Sequence, residues 1–171
     1  NTSSLTKGTI VASPNGLVSW KCGENFLDER DNNSYKTIQF GKQGWDGENL
    51  AYLPEVQNNA DFVTRGNNSQ PAYGVHNYNG SDIATAKALP AYKLYGVYYN
   101  WFAAMDNSEI PSFQGACPVG WHVSSSTELS TLYSTINSET NHRCNGVSGY
   151  IAKSMVSDSG WGTSSVVCSP G

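Results

Sequence analysis

Charge is scarce in this sequence: Asp, Glu, Lys and Arg make up 14% of it, against about 25% in average globular chains. Ten Lys and Arg are scattered among fourteen Asp and Glu, for a formal charge of −4. That leaves no basic stripe and excludes a nucleic-acid partner from expectation, while the negative balance favours solubility. Apolar residues are also few, at 38%, and no stretch approaches the roughly 18 consecutive apolar residues that a membrane span needs. The chain opens at Asn1 without a basic-then-apolar leader, as a mature or trimmed product would. Close cysteine pairs are missing as well. Cys22, Cys117, Cys144 and Cys168 stand far apart with no C-x-x-C, so no metal site is expected. Glycines form no phosphate-cradling motif, and the acids are too few and too turn-bound to supply a glycosidase pair. No cofactor and no internal repeat are expected.

What remains is abundant Gly, Ser, Asn and Tyr on a chain of 171 residues, long enough for one core. That composition suits a loop-rich extracellular or cell-surface domain, and an even number of cysteines there reads as two disulfides. Four cysteines allow three connectivities; the favoured one joins Cys22 to Cys117 and Cys144 to Cys168. The sequons at Asn1, Asn32, Asn67 and Asn79 predict exposed loops.

Residues 1–20 hold two short apolar patches around Ser-Pro-Asn-Gly, giving either a hairpin or an arm that pairs elsewhere. A β-hairpin is clearer over Tyr35–Trp45: Ile38 and Phe40 share a face, and Gly41-Lys42 makes a two-residue turn. Residues 57–93 show no sustained period and read as a long loop, which in a compact domain is often functional. "YKLYGVYYNWFAAM" (Tyr92–Met105) should pass from a strand into a short helix. The firmest helix is Ser126–Asn137. There Ser125 and Glu128 have capping-box spacing, and Leu129, Leu132, Tyr133 and Ile136 form one stripe.

Three constellations could carry chemistry. Cys117 and His122 could act as a thiolate–imidazole pair, but no residue is evidently placed to orient the histidine. A disulfide half and a structural histidine are the simpler reading. "LDERDNN" (Leu27–Asn33) offers oxygen ligands suited to calcium, yet lacks the EF-hand spacing and reads as a solvated turn. Five Trp and ten Tyr could stack on sugars, but a domain poor in aliphatics needs most of them inside. Trp45, Trp101, Trp121 and Trp161 are therefore assigned to the core. Tyr73, His76, Tyr78 and Tyr92 remain as candidate ligand contacts.

Four segments taken in order resemble the Fibrobacter succinogenes major paralogous domain family. They are "CGENFLDERDNNSYKTIQFGKQGWDGENLAY", "YGVYYNWFAAM", "CPVGWHVSSSTEL" and "AKSMVSDSGWG", spanning about Cys22 to Gly162. The match departs at Asn32, Asp46, Ser124 and Leu129, and the closing G-F-S-A-L-P-G-G segment of that family does not occur before Gly171. The resemblance implies an arm at 1–21 and a domain at 22–171 that is either cut short at its C-terminus or has its last strand supplied differently. The implied fold is α+β and C-type-lectin-like, with twisted antiparallel strands, two short helices and long loops. The implied role is non-enzymatic recognition or adhesion at a bacterial surface, toward carbohydrate or another surface protein. The alternative is a subunit of an extracellular fibre, self-assembling as its arm completes a neighbour's sheet.

Overall fold

In a computed structural model, which describes residues 10–13, 16–19, 21–156 and 162–169, the chain is a mixed α+β protein of small antiparallel sheets and short helices. It divides into two compact units, Asn1–Ser125 and Ser126–Gly171.

The first unit begins with a hairpin, β1 (Ile10–Ser13) on β2 (Gly16–Ser19), with Ile10 opposite Ser19. An antiparallel meander follows: β3 (Asn25–Asp28), β4 (Asn33–Phe40) and β5 (Gln43–Asp46), in that order. Phe40 pairs with Gln43, so Gly41-Lys42 is the expected turn, and Gly41 takes the positive φ of 58° that it requires. The buried face of β4 carries Tyr35 and Thr37, whereas Ile38 is exposed.

The β3–β4 connection is a largely exposed turn, as expected, built on one buried carboxylate. Asp28 is fully buried and accepts from the Arg30 backbone N–H at 3.0 Å, Nε at 2.9 Å and Nη2 at 2.7 Å. The Arg30 guanidinium lies 3.8 Å over the Tyr52 ring. Asn32 closes the turn at φ 61° with its N–H on the Asp28 carbonyl, 2.8 Å away. Asparagine tolerates that left-handed conformation better than other non-glycine residues, which accounts for its standing where the family pattern has glycine.

Residues 57–93, expected as loop, contain three short helices: α1 (Asn59–Asn67), α2 (Ile83–Ala88) and α3 (Pro90–Tyr95). Their signals are caps rather than periods. The Asn58 side chain accepts from Asp61 N–H, Asp82 accepts from Thr85 N–H, and Pro90 stands at the start of α3. Between them β6 (Tyr73–Gly74) pairs with β7 (Tyr98–Tyr99), and α4 (Trp101–Ala104) follows. Gly96 ends α3 at φ 66°; a Cβ there would lie 2.6 Å from the Leu50 carbonyl oxygen. Only glycine fits that turn.

The core of this unit is Leu53, Val56, Val75, Ala86, Tyr92 and Val97, each large side chain contributing about 1.5–3 kcal/mol by burial. Aliphatic residues are few, and tyrosine hydroxyls complete it by bonding the backbone. Tyr35 Oη accepts from Ala51 N–H at 2.9 Å; Tyr92 and Tyr99 donate to the Ala51 and Tyr52 carbonyls, both at 2.6 Å. Trp45 and Trp121 are only half-buried and stand at the margin rather than among the buried core residues, and Trp101 is 61% exposed and does not belong there. Trp161 lies outside the described residues.

In the second unit α5 (Ser126–Ser138) occupies the expected helix. Leu132 and Ile136 are buried while Leu129 and Tyr133 are exposed, so the apolar stripe is narrower than the spacing suggests. Three 3-10 turns follow, at Thr140–His142, Cys144–Gly146 and Ala152–Met155. Cys144 and Cys168 are bridged, closing a loop worth about 3 kcal/mol in chain entropy. The other expected bridge is not formed: Cys22 and Cys117 are free thiols, and the Cys22 thiol lies 3.4 Å from the Ile38 carbonyl. The described residues contain five α-helices rather than the two expected.

Two predictions follow from this packing. Asp28→Asn keeps the shape but removes the buried carboxylate that pairs with Arg30. Urea unfolding should show a loss of about 2–4 kcal/mol, and a loss under 1 kcal/mol would mean the pair does not hold the turn. The second concerns alkali. Burial pushes the Tyr35 hydroxyl up to about 12 and raises Tyr99 as well. Below pH 10 both folded and unfolded states keep these hydroxyls neutral, and above it only the unfolded chain ionises freely. Stability should therefore fall between pH 10 and 12, by about 2–3 kcal/mol for Tyr35. Tyr35→Phe should flatten that fall, at a cost of about 1 kcal/mol at neutral pH from the lost Ala51 bond.

Candidate functional site: an aromatic platform

Strand alternation at β7 sends adjacent tyrosines in opposite directions. Tyr99 points inward, edge-on to Tyr73 with centroids 5.6 Å apart, while Tyr98 is 48% exposed. Tyr95, the last residue of α3, is 40% exposed. His76 lies between these two exposed rings. Its Nδ1 is 2.9 Å from Tyr98 Oη, and its ring meets Tyr95 edge-on at 5.0 Å and Tyr98 at 6.1 Å. The three rings form an aromatic surface whose geometry is fixed by contacts among themselves. Trp101 adds an exposed indole three residues beyond Tyr98.

The backbone beneath is held firmly. Asn100 accepts from the Ala72 and Ala103 N–H groups at 3.0 and 2.9 Å and donates to the Gln70 carbonyl at 2.8 Å. It thereby caps α4 and anchors the start of β6 together. Val97 N–H bonds the Leu50 carbonyl at 3.0 Å, fixing the turn that releases Tyr95 to the surface.

The four candidate contacts therefore separate. His76 is in the platform, and Tyr73 supports it from β6. Tyr78 staples its own loop, its hydroxyl donating to the Asp82 carbonyl at 3.0 Å and accepting the Asp82 N–H at 3.1 Å. Tyr92 is buried in the core, with Asn33 Nδ2 at 3.3 Å and the Ala51 carbonyl on its hydroxyl. Tyr95 and Tyr98 escaped the sequence reading. The signal was there, since Gly96 marks the helix end and a following Tyr-Tyr pair in a strand must split between faces.

Cys117 and His122 are the candidate thiolate–imidazole pair. Burial pushes the Cys117 thiol up to about 11, opposite to what a thiolate at neutral pH needs. The surrounding segment is a set of turns: Cys117 N–H bonds Gln114, Trp121 N–H bonds Pro118, and Val123 N–H bonds Phe113. The Trp121 ring meets Phe26 of β3 edge-on at 5.6 Å. Residues 121–125 belong to no helix or strand. Among the described residues no three His, Cys, Asp or Glu side chains converge as metal ligands, and Asn32, Asn67 and Asn79 of the sequons are all exposed.

No curated protein and no solved structure matches the chain. A family model does: that of the Fibrobacter succinogenes major domain matches residues 38–167. The matched span begins within β4, after the Asp28–Asn33 turn, and includes the platform and the Cys117–Val123 turns. With about three-quarters of its length matched, the chain belongs to the Fibrobacter succinogenes major domain family.

Proposed function

We propose that this protein is a non-enzymatic recognition module, displayed outside the cell or on its surface, that binds carbohydrate through the His76–Tyr95–Tyr98 platform. The observation that carries the reading is the exposure of two tyrosines locked edge-on to a histidine. Exposed aromatic faces cost stability unless something covers them, and rigid ones lose little entropy when covered. Their mixed apolar and hydrogen-bonding character matches a sugar, which has C–H faces and hydroxyl edges. Another surface protein is the competing partner for the same surface.

Three further observations support the extracellular part. The Cys144–Cys168 bridge suits an oxidising compartment, no described helix is long and apolar enough to cross a membrane, and three sequon asparagines are exposed. The non-enzymatic part draws on the protonated Cys117 thiol. The C-type-lectin-like plan belongs to this proposal too, on the motif order that leads through Cys117–Ser125 into α5. The fibre alternative relied on an N-terminal arm free to pair elsewhere, whereas Ile10–Ser13 and Gly16–Ser19 pair with each other.

Replacing both platform tyrosines (Tyr95→Ala with Tyr98→Ala) removes exposed rings and no core contact. The double variant should melt within a few degrees of the unaltered chain and lose at least tenfold in apparent affinity on an immobilised glycan array. Undiminished glycan binding by a folded double variant would sink the platform reading.

A further inference from the structure

We infer a second binding site in the first unit: a cleft of about 440 Å³ beside α1 that takes a neutral sugar residue with vicinal hydroxyls. Its volume lies in the range of about 300–1,000 Å³ typical of small-molecule sites.

The key residue is Gln57. It lines the cleft and is only 6% exposed. Its backbone N–H bonds the Tyr73 carbonyl at 3.0 Å, and its side-chain Oε1 accepts the Tyr73 N–H at 2.6 Å. That second bond fixes the carboxamide orientation, because only the oxygen can accept. The carboxamide NH2 has no acceptor among the described residues. That NH2 is not sealed from solvent, so it is a donor the cleft wall can offer to an acceptor on a ligand.

The remaining walls define that ligand further. Arg65 Nη1 donates to Glu55 Oε1 at 2.7 Å and to the Pro71 carbonyl at 3.1 Å, so the guanidinium is committed and the Glu55 carboxylate held in place. Asp61 receives Asn58 Nδ2 on its Oδ2 at 2.7 Å, leaving Oδ1 available. Two carboxylates against one guanidinium leave excess negative charge, which disfavours an anion. A cation could satisfy the carboxylates but has nothing to offer the Gln57 donor. A hydroxyl does both, accepting from Gln57 and donating to a carboxylate, and adjacent hydroxyls on one ring do so together. Val56 and Ile83 supply an apolar wall for the C–H face. Uronic acids would bring a third carboxylate into the cleft and are rejected.

This inference rests on the carbohydrate reading proposed for the platform, and its test separates the two. Glucose, galactose and xylose are titrated into the full chain by calorimetry and ligand-detected NMR, with glucuronate as the charged control. Gln57→Glu keeps the acceptor for Tyr73 and removes the open donor. Thr64→Tyr, at an exposed position of α1 on the cleft wall, fills the space without altering a buried contact. Neutral sugars should bind at least tenfold more tightly than glucuronate. Each cleft variant should weaken them at least tenfold, and the Tyr95→Ala, Tyr98→Ala chain should bind them unchanged. Full binding by a folded Thr64→Tyr protein, with loss only in the platform variant, overturns the cleft and leaves the platform reading standing. Equal affinity for glucuronate overturns the ligand class, as does a peptide partner that Thr64→Tyr blocks in place of sugar. If the unaltered chain binds no sugar on the array or in solution, both readings fall.

Discussion

A buried carboxylate must find its hydrogen bonds locally or unfold the region around it, and Asp28 finds them by folding Arg30 back across its own turn. The geometry of much of the first unit descends from that bond. Held there, the guanidinium stacks on Tyr52. The Tyr52 carbonyl in turn receives the Tyr99 hydroxyl, and Tyr99 belongs to β7, whose pairing with β6 sets the register of the platform. Each link is a short polar contact rather than a large apolar one. That suits a chain with few aliphatic residues, because a directional bond specifies one arrangement where a small core alone would permit several.

Tyrosine plays two roles, and position alone decides which. Tyr35, Tyr92 and Tyr99 bury their rings and spend their hydroxyls on the Ala51–Tyr52 backbone, serving as long hydrophobes with a polar tip. Tyr95 and Tyr98 are chemically identical but sit at a helix end and on the outer side of a strand. Gly96 separates the two fates. By turning where no side chain fits, it stops α3 at Tyr95 and is followed by the buried Val97, so strand alternation throws Tyr98 out.

The legible parts of the sequence were those with a repeating signal. The Phe40–Gln43 turn and the Ser126–Ser138 helix follow from alternation, a turn glycine and an apolar stripe. Residues 57–93 carry no sustained period because α1, α2 and α3 are too short to show one. Their evidence is single residues, Asn58, Asp82 and Pro90, which mean little until a helix is already suspected. Burial of Asp28 was likewise hidden: an acid in a run of turn residues normally faces water, and only its bond to Arg30 two residues later reverses that. The disulfide reading was half realised, since even counting cannot tell a bridged pair from two thiols that each find other neighbours. Of the candidate site, His76 was visible as a polar aromatic among small residues, whereas its partners depended on a turn that brings 76 and 95–98 together.

The two surfaces assigned to ligands share one piece of backbone. Gln57 bonds Tyr73 through both its main-chain N–H and its side-chain oxygen, so the cleft wall is in effect an added partner to β6. The other edge of β6 pairs with β7, where Gly74 faces Tyr98 and lies against Phe62 of α1. Tyr73–Gly74 is therefore the common support of a donor left open in the cleft and an aromatic ring left open at the surface. A two-residue strand cannot resist displacement by itself; Asn100 on one side and Gln57 on the other keep it straight. The residues that stiffen this strand thus line the proposed cleft and support the proposed platform.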